Sequence, residues 1–134
     1  MFSNKVVLVT GAAGGLGSAV CHFFKKMDAK VIAVDLELSL LQTVFGSNKE
    51  DFFLFSVDLT ERDQTRSVFE RILIDHDRID IVCNIAGGFS MGEPVHEMSD
   101  SKWDFLFDLN LKSILHERTF KVNFGAWPKI AKNK

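Results

Sequence analysis

The 134-residue sequence contains no tyrosine, although it has 13 phenylalanines and two tryptophans. It has only two cysteines, Cys21 and Cys83, both inside apolar runs, and no Cys-x-x-Cys pair or His/Cys cluster. This speaks against a disulfide framework and against a zinc or other metal site, and we interpret the cysteines as buried thiols of a reducing compartment. No run of 18 apolar residues and no signal-peptide pattern occurs, so we expect a cytoplasmic protein without a membrane partner.

The chain also lacks a strong charge of either sign, with a formal net charge of −2. This balance argues against nucleic acid as a partner, because phosphate recognition requires a basic surface. The distribution is uneven: residues 117–134 hold five Lys or Arg and one Glu, a charge of +4, so residues 1–116 carry −6. This break predicts a domain over residues 1–116 and an atypical basic tail over residues 117–134.

Short apolar runs rich in β-branched residues alternate with stretches whose apolar residues recur every three or four positions. The runs predict strands over residues 5–10, 30–35, 51–59 and 79–88. The periodic stretches predict helices over about 16–27, 36–46, 61–75 and 99–116, the last capped by Ser99. In the first helix the recurring apolar residues are Leu16, Val20, Phe23, Phe24 and Met27. Buried strands joined by helical crossovers indicate an α/β fold with a doubly wound parallel sheet.

Glycine is concentrated in "TGAAGGLG", residues 10–17, between the first predicted strand and helix. The free N–H groups of a helix start can bind a pyrophosphate if no Cβ atom keeps the phosphate away. Gly11, Gly15 and Gly17 suit this role, and Gly17 also allows the helix to lie close to the sheet. The alternative is a tight glycine-rich turn that binds no ligand.

Asp35 ends the second predicted strand, twenty residues after Gly15. An acidic residue in this position can accept hydrogen bonds from both ribose hydroxyls of an adenosine. It would repel a 2′-phosphate, and the neighbouring Leu36 offers no positive charge, so we expect NAD to be preferred over NADP. The alternative is a solvated aspartate at the end of a strand.

Further segments in chain order resemble motifs of the short-chain dehydrogenase/reductase family. "TGAAGGLG" resembles its T-G-x-x-x-G-x-G turn, and "CNIAGG" resembles its N-N-A-G segment with Ile85 in place of the second Asn. "DL" at residues 58–59 is similar to the pair that flanks the adenine, and "WDFLFDLNLKS" resembles the helix of the active-site asparagine. Together with Asp35 these motifs cover residues 5 to about 116. The implied cofactor-binding residues are Thr10, Gly11, Gly15, Leu16, Gly17, Asp35, Asp58, Leu59, Asn84, Ala86 and Gly87.

The resemblance implies a Rossmann-like, NAD-binding domain over residues 1–116, truncated after its fourth strand and the following helix, with strand order 3-2-1-4. It implies a catalytic role for Asn110, because the family's asparagine kinks its helix and orders a water of the proton relay. The alternative is an asparagine on a buried helix face, bonded to nearby backbone. For Asn84 the resemblance implies a structural role behind the cofactor, and the alternative is a strand-end amide bonded to a neighbouring loop.

The implied reaction is reversible hydride transfer between a nicotinamide and a small alcohol or ketone. In the family it needs a Tyr, a Lys and a Ser beyond the asparagine helix, acting as a tuned acid/base with an oxyanion partner. No Tyr exists here and no Ser follows Ser113, so we expect a cofactor-binding half that lacks the C-terminal catalytic half and is inactive alone.

Two alternative functions are open to a chain with these motifs. The first is a non-catalytic nucleotide-binding or interaction module that pairs with a full-length relative. The second is a different Rossmann-like enzyme, such as a methyltransferase, which the segments at 84–87 and 103–110 disfavour. Whether the chain is a cofactor-binding half or a non-catalytic module, its fourth strand and the apolar helix face of Trp103 and Phe107 are expected to be uncovered. Such surfaces predict self-association or association with a homologue.

Overall fold

A computed structural model describes residues 1–46, 51–90 and 92–117, so the predicted basic tail lies outside the described residues except for Glu117. Four strands alternate with helices. The strands are β1 (Val6–Thr10), β2 (Lys30–Asp35), β3 (Phe53–Ser56) and β4 (Ile81–Asn84). The first three helices are α1 (Gly15–Lys26), α2 (Leu38–Phe45) and α3 (Arg62–His76). A short 3-10 turn (Val95–Glu97) precedes a last helical segment made of α4 (Asp100–Phe107), a π-helical turn (Asp108–Lys112) and α5 (Ser113–Glu117).

The strands form one parallel sheet in the order β3-β2-β1-β4, which confirms the predicted doubly wound, Rossmann-like arrangement. In register, Thr10 pairs with Val34 on one side and with Asn84 on the other. The two central strands are buried along most of their length, whereas β3 and β4 are half-buried. Helices cover both faces of the sheet, as parallel strands require. Because all four strands run in the same direction, their carboxyl ends meet at one edge.

Strands β3 and β4 are shorter than predicted because side chains replace the ladder at their ends. After β3, the Asp58 side chain accepts hydrogen bonds from both the N–H and the hydroxyl of Thr60, which turns the chain. After β4, the N–H groups of Ile85 and Ala86 donate to the hydroxyl oxygen of Thr10. Apolar patterning continues through both segments and does not reveal these turns.

The core consists of two layers, one on each face of the sheet. Alternate residues of β1 point to opposite layers: Leu8 contacts the layer that includes Phe69 and Ile72 of α3, and Val9 contacts the layer of α1 and α2. The second layer contains Cys21, which is buried, and the half-buried Cys83. Burial raises the pKa of Cys21 to about 12 and also raises that of Cys83, so both remain thiols.

Helix α1 buries a face rotated from the one expected, although Val20 and Phe24 of the predicted stripe are half-buried and pack against the core. Its fully buried residues are Gly17 and Cys21, whereas Leu16 is 67% exposed and Phe23 is 51% exposed. The reason is the close approach at Gly17, where an ideal Cβ would lie 2.0 Å from the carbonyl oxygen of Gly11. Because the helix contacts the sheet through this glycine, its apolar stripe is turned partly toward solvent.

The last helical segment begins as predicted, with the Ser99 side chain accepting a hydrogen bond from the N–H of Lys102. Its apolar residues are largely exposed, including Trp103, Phe107, Leu111 and Ile114. The rings of Trp103 and Phe107 pack against each other with centroids 4.7 Å apart. The prediction that this stripe lies uncovered is therefore confirmed within the described part of the chain.

Candidate functional site

A cleft of about 680 Å³ opens at the carboxyl edge of the sheet, which is where ligands bind in open α/β sheets. Each of the four strands contributes the residues that follow it. Nine of the predicted site residues line the cleft: Gly11, Gly15, Leu16, Gly17, Asp35, Asp58, Leu59, Ala86 and Gly87. Thr10, Asn84 and Asn110 are not among the lining residues, and their positions are described below.

The glycine-rich loop is shaped by backbone conformation and close contact. Gly11 has φ +64°, and an ideal Cβ there would lie 2.7 Å from the amide nitrogen of Ala86. A side chain at this position would therefore be strained and would also push β1 and β4 apart. This explains why the turn needs glycine at Gly11 even without a ligand.

Gly15 and Gly17 have opposite surroundings. Gly17 lies against the backbone of Gly11 and Ala12, whereas an ideal Cβ on Gly15 would meet nothing within 4 Å. Gly15 starts α1, whose first N–H groups have no intrahelical acceptor and no side-chain cap. The open space at Gly15 therefore lies beside unsatisfied donors at the positive end of a helix, a favourable place for an anionic group.

Thr10 and Asp35 support the loop from beneath. Thr10 is fully buried, and its hydroxyl oxygen is 3.3 Å from the amide nitrogens of both Ile85 and Ala86. One oxygen of Asp35 accepts a hydrogen bond from the N–H of Ala13 at 2.8 Å, and the other accepts one from the N–H of Leu36 at 2.7 Å. A carboxylate has about four lone-pair sites, so Asp35 can still accept hydrogen bonds from a ligand.

Asp58 and Leu59 form the opposite wall of the cleft. The Asp58 side chain is 2.6 Å from the Thr60 hydroxyl, and its carbonyl oxygen accepts a hydrogen bond from the N–H of Glu61. Leu59 is only 6% exposed and belongs to the core layer beside α3. At this wall the cleft is lined by the polar Asp58 and the apolar Leu59, and Leu59 also packs in the core.

Asn110 lies in the π-helical turn and binds the segment that follows β4. Its Oδ1 accepts a hydrogen bond from the N–H of Gly88, and its Nδ2 donates to the carbonyl oxygens of Gly88 and Leu106. An ideal Cβ on Gly87 would lie 2.6 Å from Asn110 Oδ1, so a larger residue there would displace the Asn110 side chain. The expectation of a buried asparagine is wrong, because Asn110 is exposed, but the expected backbone partners are present.

Asn84 ends β4, is exposed and faces Thr10 across the strand pair. The π-helical turn widens the helix where the resemblance implies a kink, and π-turns often occur at functional sites. Asn84 and Asn110 are therefore close to lining residues without lining the cleft themselves, and their implied roles stay predictions.

Residues 5–121 match the family profile described as short chain dehydrogenase. The chain belongs to this family.

Several members show how far the similarity extends. The chain is 30% identical over 110 residues to an NAD-dependent glycerol dehydrogenase of Listeria innocua, covering 82% of this chain and 43% of that protein. It is 32% identical over 118 residues to a 3-oxoacyl-(acyl-carrier-protein) reductase of Thermotoga maritima, covering 84% of this chain and 47% of the reductase. A metagenomic short-chain oxidoreductase in complex with NADP superimposes with a TM-score of 0.81 at 29% identity, covering 89% of this chain and 56% of that one. The chain thus spans about half the length of these short-chain dehydrogenases.

Sequence reasoning missed other residues of this short-chain dehydrogenase cleft, most of them apolar. They are Ala13, Gly14, Leu36, Leu40, Val57, Thr60, Ile85, Phe105 and Leu109. Those next to a recognised motif could have been included from adjacency alone. Leu40 comes from α2 and reaches the cleft through tertiary packing, for which the sequence carries no local signal. Phe105 and Leu109 lie within the recognised segment at 103–113 and could have been included with it.

The charges of the cleft are acidic. Asp35 and Asp58 are its ionisable lining residues, and no Lys or Arg is among the described residues that line it. The described ranges also contain no group of three or more His, Cys, Asp or Glu residues that could bind a metal ion. Within the same ranges, no helix is long and apolar enough to span a membrane.

Proposed function

We propose that the chain binds a nicotinamide dinucleotide in this cleft, as the cofactor-binding part of an oxidoreductase. The observation that supports this most directly is the loop from Gly11 to Gly17, where open space at Gly15 adjoins the free N–H groups of α1. These donors suit a pyrophosphate, Asp35 suits the adenosine ribose, and the wall at Asp58 and Leu59 suits an adenine. When bound, such a cofactor supplies or accepts a hydride.

We propose further that NAD is preferred over NADP. Asp35 lies at the end of β2 beside Leu36, and the described lining provides no cation to neutralise a 2′-phosphate. Two like charges about 5 Å apart repel by roughly 1–3 kcal/mol at the effective dielectric of a protein surface. That difference corresponds to about fivefold or more in affinity.

The test compares NAD and NADP binding to the wild-type chain and to Asp35→Asn by calorimetry. Asparagine keeps an oxygen acceptor for the loop but removes the charge, so the ratio of the two dissociation constants should fall at least about fivefold. Asp28→Asn is the matched control, since it makes the same charge change at an exposed position near the other end of β2 and should leave the ratio unchanged. A wild-type chain that binds neither cofactor, or an unchanged ratio in Asp35→Asn, contradicts the proposal.

The substrate class we propose is a small alcohol or ketone, with Asn110 as a catalytic residue of the complete site. The support is the position of Asn110, which fixes the backbone of Gly88 next to the cleft-lining Gly87. A polypeptide of these 134 residues contains no phenol group to transfer the proton, so we expect cofactor binding without turnover. Oxidation of simple alcohols by the purified chain, followed through nicotinamide absorbance, would refute this expectation.

We also propose that the chain self-associates or pairs with a homologue. Strand β4 lies at an edge of the described sheet, and the stripe of Trp103, Phe107 and Leu111 is exposed. Sedimentation velocity should show species larger than 15.1 kDa at micromolar concentration, and a single monomeric species would contradict this.

A cytoplasmic location is the last part of the proposal. Cys21 and Cys83 are both free thiols, which suits a reducing compartment. Fractionation of cells that express the chain tests this, and recovery from a secreted or vesicular fraction would contradict it.

A further inference from the structure

The wall of the cleft at residues 57–60 is joined to the last helical segment by a long-range hydrogen bond. Nδ1 of His116, in α5, lies 3.0 Å from the carbonyl oxygen of Leu59. A carbonyl oxygen can only accept, so Nδ1 carries the proton. The two residues are 57 positions apart, and α5 packs beside α3, the helix that follows the wall.

Most other bonds of this turn are local, but the N–H of Val57 donates to the carbonyl oxygen of Asp35 at 2.9 Å and so joins the start of the turn to β2. Thr60 donates to the Asp58 side chain, Glu61 donates to the Asp58 carbonyl oxygen, and the Thr65 hydroxyl lies 3.4 Å from that same oxygen. The local bonds fix the shape of the turn, and the bond from Val57 fixes its first residue beside β2. The bond from His116 acts two residues further on, at Leu59. It acts on the carbonyl of a residue that both lines the cleft and belongs to the core layer beside α3.

We infer that His116 is a positioning residue for the nucleotide-binding wall at Asp58 and Leu59. The inference rests on the proposed function, since it assigns this wall to the adenine end of the cofactor. His116 holds the Leu59 carbonyl from outside the cleft, so that the Leu59 side chain and the Asp58 backbone keep the spacing that a flat base requires. It does not touch the cleft itself, because it is not among the lining residues.

The test measures dissociation constants of NAD, ADP-ribose and nicotinamide mononucleotide for the wild type, His116→Ala and His116→Asn. Asn can place an N–H donor near the position of Nδ1, whereas Ala cannot. His116→Ala should weaken NAD and ADP-ribose by about three- to tenfold, the range expected for one lost hydrogen bond. His116→Asn should stay within about twofold of the wild type. Nicotinamide mononucleotide, which lacks adenine, should bind the variants and the wild type alike.

His22→Ala serves as the control for a loss of stability alone. Its ring stacks on Phe45 and packs near Phe52, away from the cleft, so its removal should lower the melting temperature without changing any dissociation constant. Equal NAD affinity in His116→Ala and the wild type overturns the inference. So does a loss in nicotinamide mononucleotide binding as large as that of ADP-ribose.

A spectroscopic measurement keeps the inference testable if His116→Ala fails to fold. Free neutral histidine can adopt either tautomer, but this bond demands the proton on Nδ1. Nitrogen-15 NMR of the wild-type chain should therefore show the Nδ1–H tautomer for His116, and the Nε2–H tautomer would overturn the inference. If the wild type binds no NAD, the proposed function fails and the positioning role with it, whereas failure of the His116 variants alone leaves the proposed function standing.

Discussion

Gly15 and Gly17, two residues apart in the same loop, should respond in opposite ways to the same substitution. In Gly17→Ala the new Cβ would lie 2.0 Å from the Gly11 carbonyl oxygen and 2.8 Å from Ala12 Cα. Both obstacles are backbone atoms, so α1 must move away from the sheet. Overpacking costs about 1–3 kcal/mol when side chains can adjust, and we expect at least about 2 kcal/mol here. For a domain of this size that is a fall of about 8 °C in melting temperature.

Gly15→Ala should leave the fold intact or stabilise it. Its Cβ would meet nothing within 4 Å, and Gly15 is not among the glycines with positive φ. Replacing a helical glycine by alanine typically adds about 0.5–1 kcal/mol, which corresponds to a rise of about 2–4 °C. The same Cβ would stand between the N–H donors of α1 and a pyrophosphate. We therefore expect NAD affinity to fall at least about tenfold, or about 1.4 kcal/mol.

Thermal unfolding without ligand and calorimetric titration with NAD measure the two effects separately. Each variant controls for the other, since both carry the same added methyl group in the same loop. Wild-type stability of Gly17→Ala would refute the conclusion that α1 lies too close to the backbone of Gly11 and Ala12 to accept a Cβ at residue 17. Gly15→Ala with wild-type affinity would refute the assignment of the open space to a phosphate.

Two further predictions concern side-chain hydrogen bonds to the strands and their ends. Thr10→Val should lower the free energy of unfolding by about 1–3 kcal/mol, because the N–H groups of Ile85 and Ala86 lose their acceptor. Thr10→Ser keeps a hydroxyl oxygen, so urea titrations should show a smaller loss of free energy for it. Equal losses in the two variants would contradict this. The Arg78 hydrogen bond, helped by the N–H of Val6 and the charge of Lys5, lowers the pKa of Asp80 to about 2. This carboxylate therefore stabilises the fold at pH 7 by about 1–2 kcal/mol after allowance for solvent screening, and the contribution is lost as pH falls from about 4 to about 2. Urea titrations should show Asp80→Asn less stable than the wild type at pH 7 and nearly equal to it near pH 2; a constant gap across this range would contradict the assignment.

The alternation of strands and helices could be predicted because burial on both faces leaves a continuous apolar run in each central strand. The strand ends could not, since Thr10 and Thr60 intervene with side-chain hydrogen bonds that no periodicity encodes. The strand order came from the resemblance rather than from the residues themselves. The cleft residues within or adjacent to motifs were foreseeable, Phe105 and Leu109 among them, whereas Leu40 reaches the cleft from α2 without any motif.

The sequence by itself determined the parts of the site that depend on backbone geometry and residue size. The glycines at 11 and 17 mark positions where close backbone contacts leave no space for a Cβ. Asp35 marks the end of β2, where an acidic side chain can bind a ribose. Tertiary structure alone decided which face of α1 is buried, that Asn110 is exposed while bound to Gly88, and that His116 bonds to Leu59. These depend on distances between elements far apart in the chain, and those distances are set by packing rather than by local sequence pattern.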